Sequence, residues 1–174
     1  MNFPILITER LRLRQLSLAD APGLFRLRSD PDYCALTLMS VYHSVKEVEG
    51  YIGRILDGYK NGENLTWTIT LKDADLHMGG VCLFNYSQDK KRAEIGYDLL
   101  PEHRGMGIVT EAVRAVAAHA FDNGTEVVFA DLLPINAKSV ALIERIGFIK
   151  KSNHTREGPN NQPINMALYE LHHP

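Results

Sequence analysis

One α/β domain, with a mixed and mostly antiparallel sheet flanked by helices, is the fold this sequence predicts. Three observations predict it. From Leu65 the apolar residues take up strand spacing in LTWTITL, GGVCLFNY and RAEIGYDLL, separated by the turn-forming stretches KDADLH and SQDKK. Helical stripes behind capping signals come both before and after that region. The 174 residues, 45% of them apolar, suit a single core, because a domain usually takes roughly 100 to 200 residues. The domain is placed at residues 8–172.

Residues 10–14 alternate charge and leucine with period two, which fits a half-buried strand better than a basic nucleic-acid arm. Ser17 opens an S-x-x-D signal, and Leu24 and Leu27 come next at helical spacing, so a short helix should run to Arg28 before Asp30-Pro31 stops it. Ser44 and Glu47 make a capping box for a second helix whose stripe is Val45, Val48, Ile52, Ile55, Leu56 and Tyr59. The three strand segments then read as an antiparallel meander. A strong helix from about 107 to 123 aligns Val109, Ala112, Val113, Val116, Ala117 and Ala120, and Gly124 ends it. VVFADLL suits a strand buried on both sides. Asn136 caps a helix carrying Val140, Ile143 and Ile146, which Gly147 ends. Residues 148–151 and 164–171 read as two closing strands around the loop GPNNQP.

Composition narrows the function. A net charge of -2, with no basic block longer than Lys90-Lys91-Arg92, supplies no broad positive field for nucleic acid or anionic lipid. No stretch approaches the roughly 18 apolar residues that span a membrane, and the N-terminal apolar run is too short for a signal peptide. A cytoplasmic protein is expected, so the N-x-T triplets at Asn64, Asn123 and Asn153 are read as chance. Cys34 and Cys82 lack metal-ligand spacing and read as reduced, buried thiols. No metal is expected.

The stretch PEHRGMGIVTEA, residues 101–112, carries the chemistry. Pro101 offers no N–H and ends the preceding strand. Gly105 and Gly107 admit dihedrals closed to other residues and let a ligand approach the main chain. The next helix begins with unpaired N–H groups at the positive end of its dipole, and Arg104 adds a permanent charge at the rim. Together these make an anion seat; for G-x-G alone, a plain tight loop is the competing reading. A P-loop is excluded because no G-K-[ST] comes after the glycines. A dinucleotide fingerprint fits poorly, since four residues separate the strand from Gly105 and Thr110 stands in place of the third glycine.

Taken with the residues downstream of it, this stretch resembles the GNAT superfamily of N-acetyltransferases, in particular the branch of ribosomal-protein N-terminal acetyltransferases. The resemblance runs from residue 8 to about 171, and rests most on AEIGYDLLPEHRGMGIVTEA and NAKSVALIERIGF in that order and spacing. It implies a GNAT-like fold whose central sheet splays between strands four and five. It implies acetyl-CoA as cosubstrate, its pyrophosphate wrapped by the main chain of Arg104, Gly105, Met106, Gly107, Ile108, Val109 and Thr110. Val109 departs from the small residue usual there, and its branched side chain would narrow the approach to the phosphates. The pantetheine arm would lie along the fourth strand near Leu99, and Asn136 would touch the cofactor from the next loop.

The implied reaction is direct attack of a primary amine on the thioester. Only a neutral amine attacks: an α-amine of pKa about 8 is roughly 10% neutral at pH 7 and a lysine only about 0.04%, a difference of about 3 kcal/mol. The branch resemblance favours a protein or peptide N-terminus as acceptor. Glu94 shares a strand face with Gly96 and Asp98 and stands where relatives carry a candidate general base, against a plain solvated glutamate; Asp98 is a second choice. Ser139 matches a serine placed near the sulfur, against a residue that merely caps a helix. His77 and His103 read as surface residues. A monomer or a homodimer is compatible with the exposed strand edges. A nicotinamide dinucleotide oxidoreductase and a non-catalytic acetyl-CoA-binding module remain as alternatives.

Overall fold

The computed structural model describes residues 2–158 and 161–173. In chain order these form β1 (Leu6–Ile7), β2 (Leu11–Gln15), α1 (Ala21–Arg28), α2 (Pro31–Thr37), α3 (Val45–Lys60), β3 (Leu65–Leu71), β4 (Ala74–Phe84), β5 (Arg92–Leu99), α4 (Ile108–Asp122), β6 (Val127–Leu132), α5 (Ala137–Ile146), β7 (Ile149–Glu157) and β8 (Pro163–His172). The strands make one mixed sheet of order β1-β2-β3-β4-β5-β6-β8-β7. This is the expected α/β class.

From β3 to β5 the sheet is the expected antiparallel meander, and β2 pairs antiparallel with β3 beside it. Leu11 and Leu13 of β2 are fully buried, as their alternation with arginine requires. The parallel pairing of β5 with β6 is short: Arg92, Ala93 and Glu94 face Val127, Val128 and Phe129, and then the two strands part. Beyond that point β5 stays with β4 and β6 stays with β8. A wedge therefore opens between β5 and β6 from Ile95 onward. This is the splay anticipated between strands four and five, each number raised by one because the two-residue β1 precedes them.

Two apolar layers cover the sheet. On one side α4 inserts Val109, Ala112, Val113, Val116 and Ala120 among Leu13, Ile69, Val81, Leu83 and Ile95. Each valine, leucine or isoleucine among them contributes about 1.5–3 kcal/mol when fully buried. A second cluster, Leu16, Ala21, Leu24, Val48 and Ile52, joins α1 to α3. Ser44 accepts the Glu47 N–H at 3.3 Å as predicted, while the Glu47 carboxylate reaches back to the His43 N–H at 3.0 Å, one residue earlier than a capping box requires.

Several local expectations are corrected. Ser17 opens a 3-10 turn over Leu18–Asp20, whose Asp20 carboxylate binds Arg14, Ser17 and Thr68, and the α-helix runs from Ala21 to Arg28. Asp30-Pro31 ends α1 and also starts α2, a helix the sequence reading lacks: Asp30 accepts the N–H groups of Asp32 and Tyr33, and proline fits the first helical position. Only Lys72-Asp73 turn the chain between β3 and β4, since Leu71 already faces Ala74, so most of KDADLH is strand. In β6 only Val128 and Ala130 are buried; it is not covered on both faces. β7 extends to Glu157, exposed along its length. Within GPNNQP, Pro159 and Asn160 lie outside the described residues.

Candidate active site

Behind β5 the chain makes a 3-10 turn, Pro101–His103, and then enters the glycine loop. Gly105 and Gly107 have φ of +77° and +74°, in the left-handed region that a β-carbon disfavours. Gly107 also caps α4. Among the described residues, nothing accepts a hydrogen bond from the main-chain N–H groups of residues 105–110. Six donors at a helix N-terminus form a seat that fits a diphosphate by the chemistry of its donors.

The loop is braced from behind. Arg10 donates from Nη1 to the Met106 carbonyl at 2.9 Å and from Nε to Glu111 Oε2 at 2.7 Å. Glu111 Oε1 accepts from the Arg10 N–H and from the Thr8 hydroxyl. Burial, which alone would raise the Glu111 pKa, is outweighed by these hydrogen bonds, and the carboxyl sits below its usual range. With its carbonyl drawn toward Arg10, Met106 leaves the loop amides free on the other side. Sequence reasoning missed this brace; its one local sign was an acidic residue in the first turn of a helix.

Arg104 is exposed at the rim, with Nε donating to the Leu99 carbonyl at 3.1 Å. Thr110 is half-buried. Ile108 and Val109 are buried, and Val109, 7% exposed, packs into the α4 core. The expected narrowing at Val109 is therefore corrected: its methyl groups fill the interior.

The strand leading into the loop supplies a second main-chain surface. Leu100 donates its N–H to Met78 on β4. Successive main-chain groups along a strand face opposite edges, so those of Ile95, Tyr97 and Leu99 turn toward the wedge. Across the wedge the Tyr97 hydroxyl donates to the Ser139 carbonyl at 3.3 Å, and burial pushes the phenol up to about 12.

Glu94, Gly96 and Asp98 share one face of β5, where a cavity of about 260 Å³ runs from beneath α1, α2 and α3 to the wedge. Glu94, Asp98, Asp131, Asn136 and Ser139 all line it, and residues 104–110 do not. The glycine loop and the cavity are thus separate places along β5.

Glu94 accepts from Asn85 Nδ2 at 2.7 Å. Burial raises its pKa, against the Asn85 hydrogen bond, and the nearby Asp131 charge adds to the rise. Asp131, at the end of β6, faces His154 Nε2 at 3.2 Å and Arg156 Nη1 at 3.7 Å. Asp98 is pushed up by burial despite Arg28, whose Nη2 lies 4.0 Å from Oδ2. Asn136 caps α5 by accepting the Ser139 N–H at 3.3 Å, and its Nδ2 donates to Leu36 of α2 at 3.4 Å. The Ser139 side chain also meets the Tyr97 phenol, a hydrogen bond that opposes the burial-driven rise of the phenol's pKa.

The histidines need correction. His77 is not at the surface: it lies on β4, 9% exposed, and lines the cavity. The turn expected there is a strand, and Gly23 lets α1 lie against the ring, because a β-carbon at Gly23 would stand 2.9 Å from it. Burial lowers its pKa. His103 is half-buried at the end of the 3-10 turn. Cys34 is buried as expected, whereas Cys82 borders the cavity. The nicotinamide alternative fails on topology: the strand before Gly105 belongs to an antiparallel meander and has one short parallel neighbour. Among the described residues no helix is long and apolar enough to cross a membrane, and no group of three or more His, Cys, Asp or Glu is placed to hold a metal ion.

Comparison with known proteins adds independent findings. Residues 10–149 match the family described as acetyltransferase (GNAT) domain. An uncharacterized N-acetyltransferase of Bacillus licheniformis, p20, is 33% identical over 148 residues, covering 84% of this chain and 83% of its own length. The microcin C7 self-immunity acetyltransferase MccE, solved with acetyl-CoA and AMP, superimposes with a TM-score of 0.83 at 22% identity, over 95% of this chain and 94% of that one. RimL, a ribosomal L7/L12 alpha-N-protein acetyltransferase solved with coenzyme A, gives 0.81 at 18% identity, over 97% and 98%.

Proposed function

The chain belongs to the acetyltransferase (GNAT) family and is an acetyl-CoA-dependent N-acetyltransferase, and on that premise we propose that its acceptor is the α-amine of a protein or peptide N-terminus. One observation carries the reading: unengaged amides at residues 105–110 lead along the open edge of β5 to a cavity holding Glu94 and Asp98. An α-amine asks little of a base, because roughly a tenth of it is already neutral at pH 7. The likeness in fold to RimL supports the same acceptor class.

Acetyl-CoA supplies an acyl carbon activated as a thioester. The amides of Gly105, Met106, Gly107, Ile108, Val109 and Thr110 would hold its diphosphate, with Arg104 at the rim, while Leu99 and its neighbours bind the pantetheine arm. Asn136 flanks the arm from the α5 side. Glu94 takes the proton of the acceptor ammonium, directly or through water, and its raised pKa brings it nearer that of the amine. A main-chain N–H on the wedge side of β5 stabilises the negative charge that develops on the acyl oxygen. Ser139, beside the Tyr97 phenol, donates from its hydroxyl to the departing sulfur. We place the enzyme in the cytoplasm, where its two free thiols stay reduced.

The test is thiol release from acetyl-CoA with peptides beginning in Ser or Ala, beside polyamines and aminoglycosides. Turnover of the peptides above the other amines is expected. Acetyl-CoA binding without thiol release from any amine points instead to a non-catalytic binding module, and preference for a polyamine removes the N-terminal acceptor.

A further inference from the structure

Among the described residues, five buried side-chain atoms lack a hydrogen-bond partner: Arg28 Nε, His77 Nδ1, His77 Nε2, Asp98 Oδ1 and Asp131 Oδ1. All four residues line the same cavity. A buried polar group left unpaired weakens a fold, so such groups are normally satisfied. Here they gather where a substrate must come, and three of the four residues, Arg28, His77 and Asp98, stand at the α1 side of the cavity.

That end has a defined chemistry. The Arg28 side chain is 5% exposed, lies 4.0 Å from Asp98, and has its guanidinium carbon 5.2 Å from the centre of the Tyr51 ring. Arg28 offers an N–H donor and Asp98 an acceptor oxygen; the neutral ring of His77 offers one of each. The two charges oppose one another. A carboxylate entering here meets Asp98, and an ammonium meets Arg28, so neither charge is welcome. A group carrying both C=O and N–H, and no charge, answers all three residues.

We propose that Arg28, His77 and Asp98 form a subsite for the main-chain amides of a peptide acceptor, a few residues beyond its reacting α-amine. This rests on the proposed N-terminal acceptor and deepens it. The spacing agrees: Glu94 and Asp98 stand four residues apart on one strand face, roughly 13 Å at about 3.3 Å per residue. An extended peptide with its α-amine beside Glu94 reaches Asp98 within its first four residues. A free amino acid does not.

The measurement is kcat/KM for Ser-Ala-Ala-Ala-NH₂ divided by kcat/KM for serinamide, taken within each protein, with spermidine as a third acceptor. Two hydrogen bonds gained by the longer peptide predict a ratio of about 30 in the native enzyme. The ratio should fall toward one in R28K and D98N, carried mainly by KM of the longer peptide. Acetyl-CoA titration of each variant checks that it is folded, and the native ratio needs no variant. A native ratio near one, or an unchanged ratio in both variants, overturns the subsite. Peptides preferred with no gain in length leave the N-terminal acceptor standing and remove the subsite alone. Spermidine preferred over both peptides removes both.

Discussion

On the proposed function the glycine loop holds phosphate and the cavity takes the acceptor, and these two places along β5 are built from opposite materials. The loop works through main-chain N–H groups, so its side chains are free to serve elsewhere: Ile108 and Val109 fill the core and Met106 is half exposed to solvent. The cavity works through side chains, from α1, β4, β5 and β6, that only the folded sheet assembles. A main-chain site tolerates substitution wherever its dihedrals survive. A side-chain site does not.

Substitutions ranked by expected effect sharpen this contrast. Glu94→Gln should lower kcat by on the order of a thousandfold and leave acetyl-CoA affinity intact, measured by single-turnover kinetics and titration. The native enzyme should lose kcat/KM as pH falls through the Glu94 pKa, because a base must be ionised to act. Since that pKa is raised, the acid limb should lie above the ordinary glutamate value of about 4.3 and vanish in the Gln variant. Gly107→Val places a branched residue at φ +74° and should weaken acetyl-CoA by on the order of a hundredfold, with kcat at saturation far less affected.

Smaller effects test the supports. Glu111→Gln loosens the Arg10 brace and should raise KM for acetyl-CoA about tenfold without moving KM for the amine. Ser139→Ala should lower kcat about tenfold, most with acceptors whose attack is fast enough to make thiol departure limiting. Val109→Ala should change acetyl-CoA affinity less than about twofold, while removing buried methyl groups lowers stability by about 1.5 kcal/mol, read as a melting temperature roughly 3–6 °C lower. A large affinity gain in that last variant would restore Val109 to the mouth of the site.

The same contrast explains what was legible in the sequence. Gly105 and Gly107 announce a local conformation, and α4 announces itself by its stripe, so the loop with its unengaged amides could be read from a dozen consecutive residues. The meander was equally plain, because strand alternation is local. His77 could not be placed, since its burial depends on a two-residue turn at Lys72-Asp73 and on α1 packing through Gly23. Arg28 looked like the basic end of a short helix, and nothing nearby signals that Asp98, seventy residues on, lies beside it. The Arg10–Glu111 pair spans about a hundred residues and was invisible for the same reason. Asp30-Pro31 was different: its capping chemistry is local, yet the pair also reads as a stop, and a single dipeptide can be both.

On the proposed function, main-chain amides at residues 105–110 hold the diphosphate of acetyl-CoA. Amide ¹H–¹⁵N shifts tracked through a titration test it most directly. The N–H signals of residues 105–110 should move most, and acetyl-pantetheine, which lacks the diphosphate, should leave them in place. Saturation by acetyl-CoA with those six signals unmoved would contradict it.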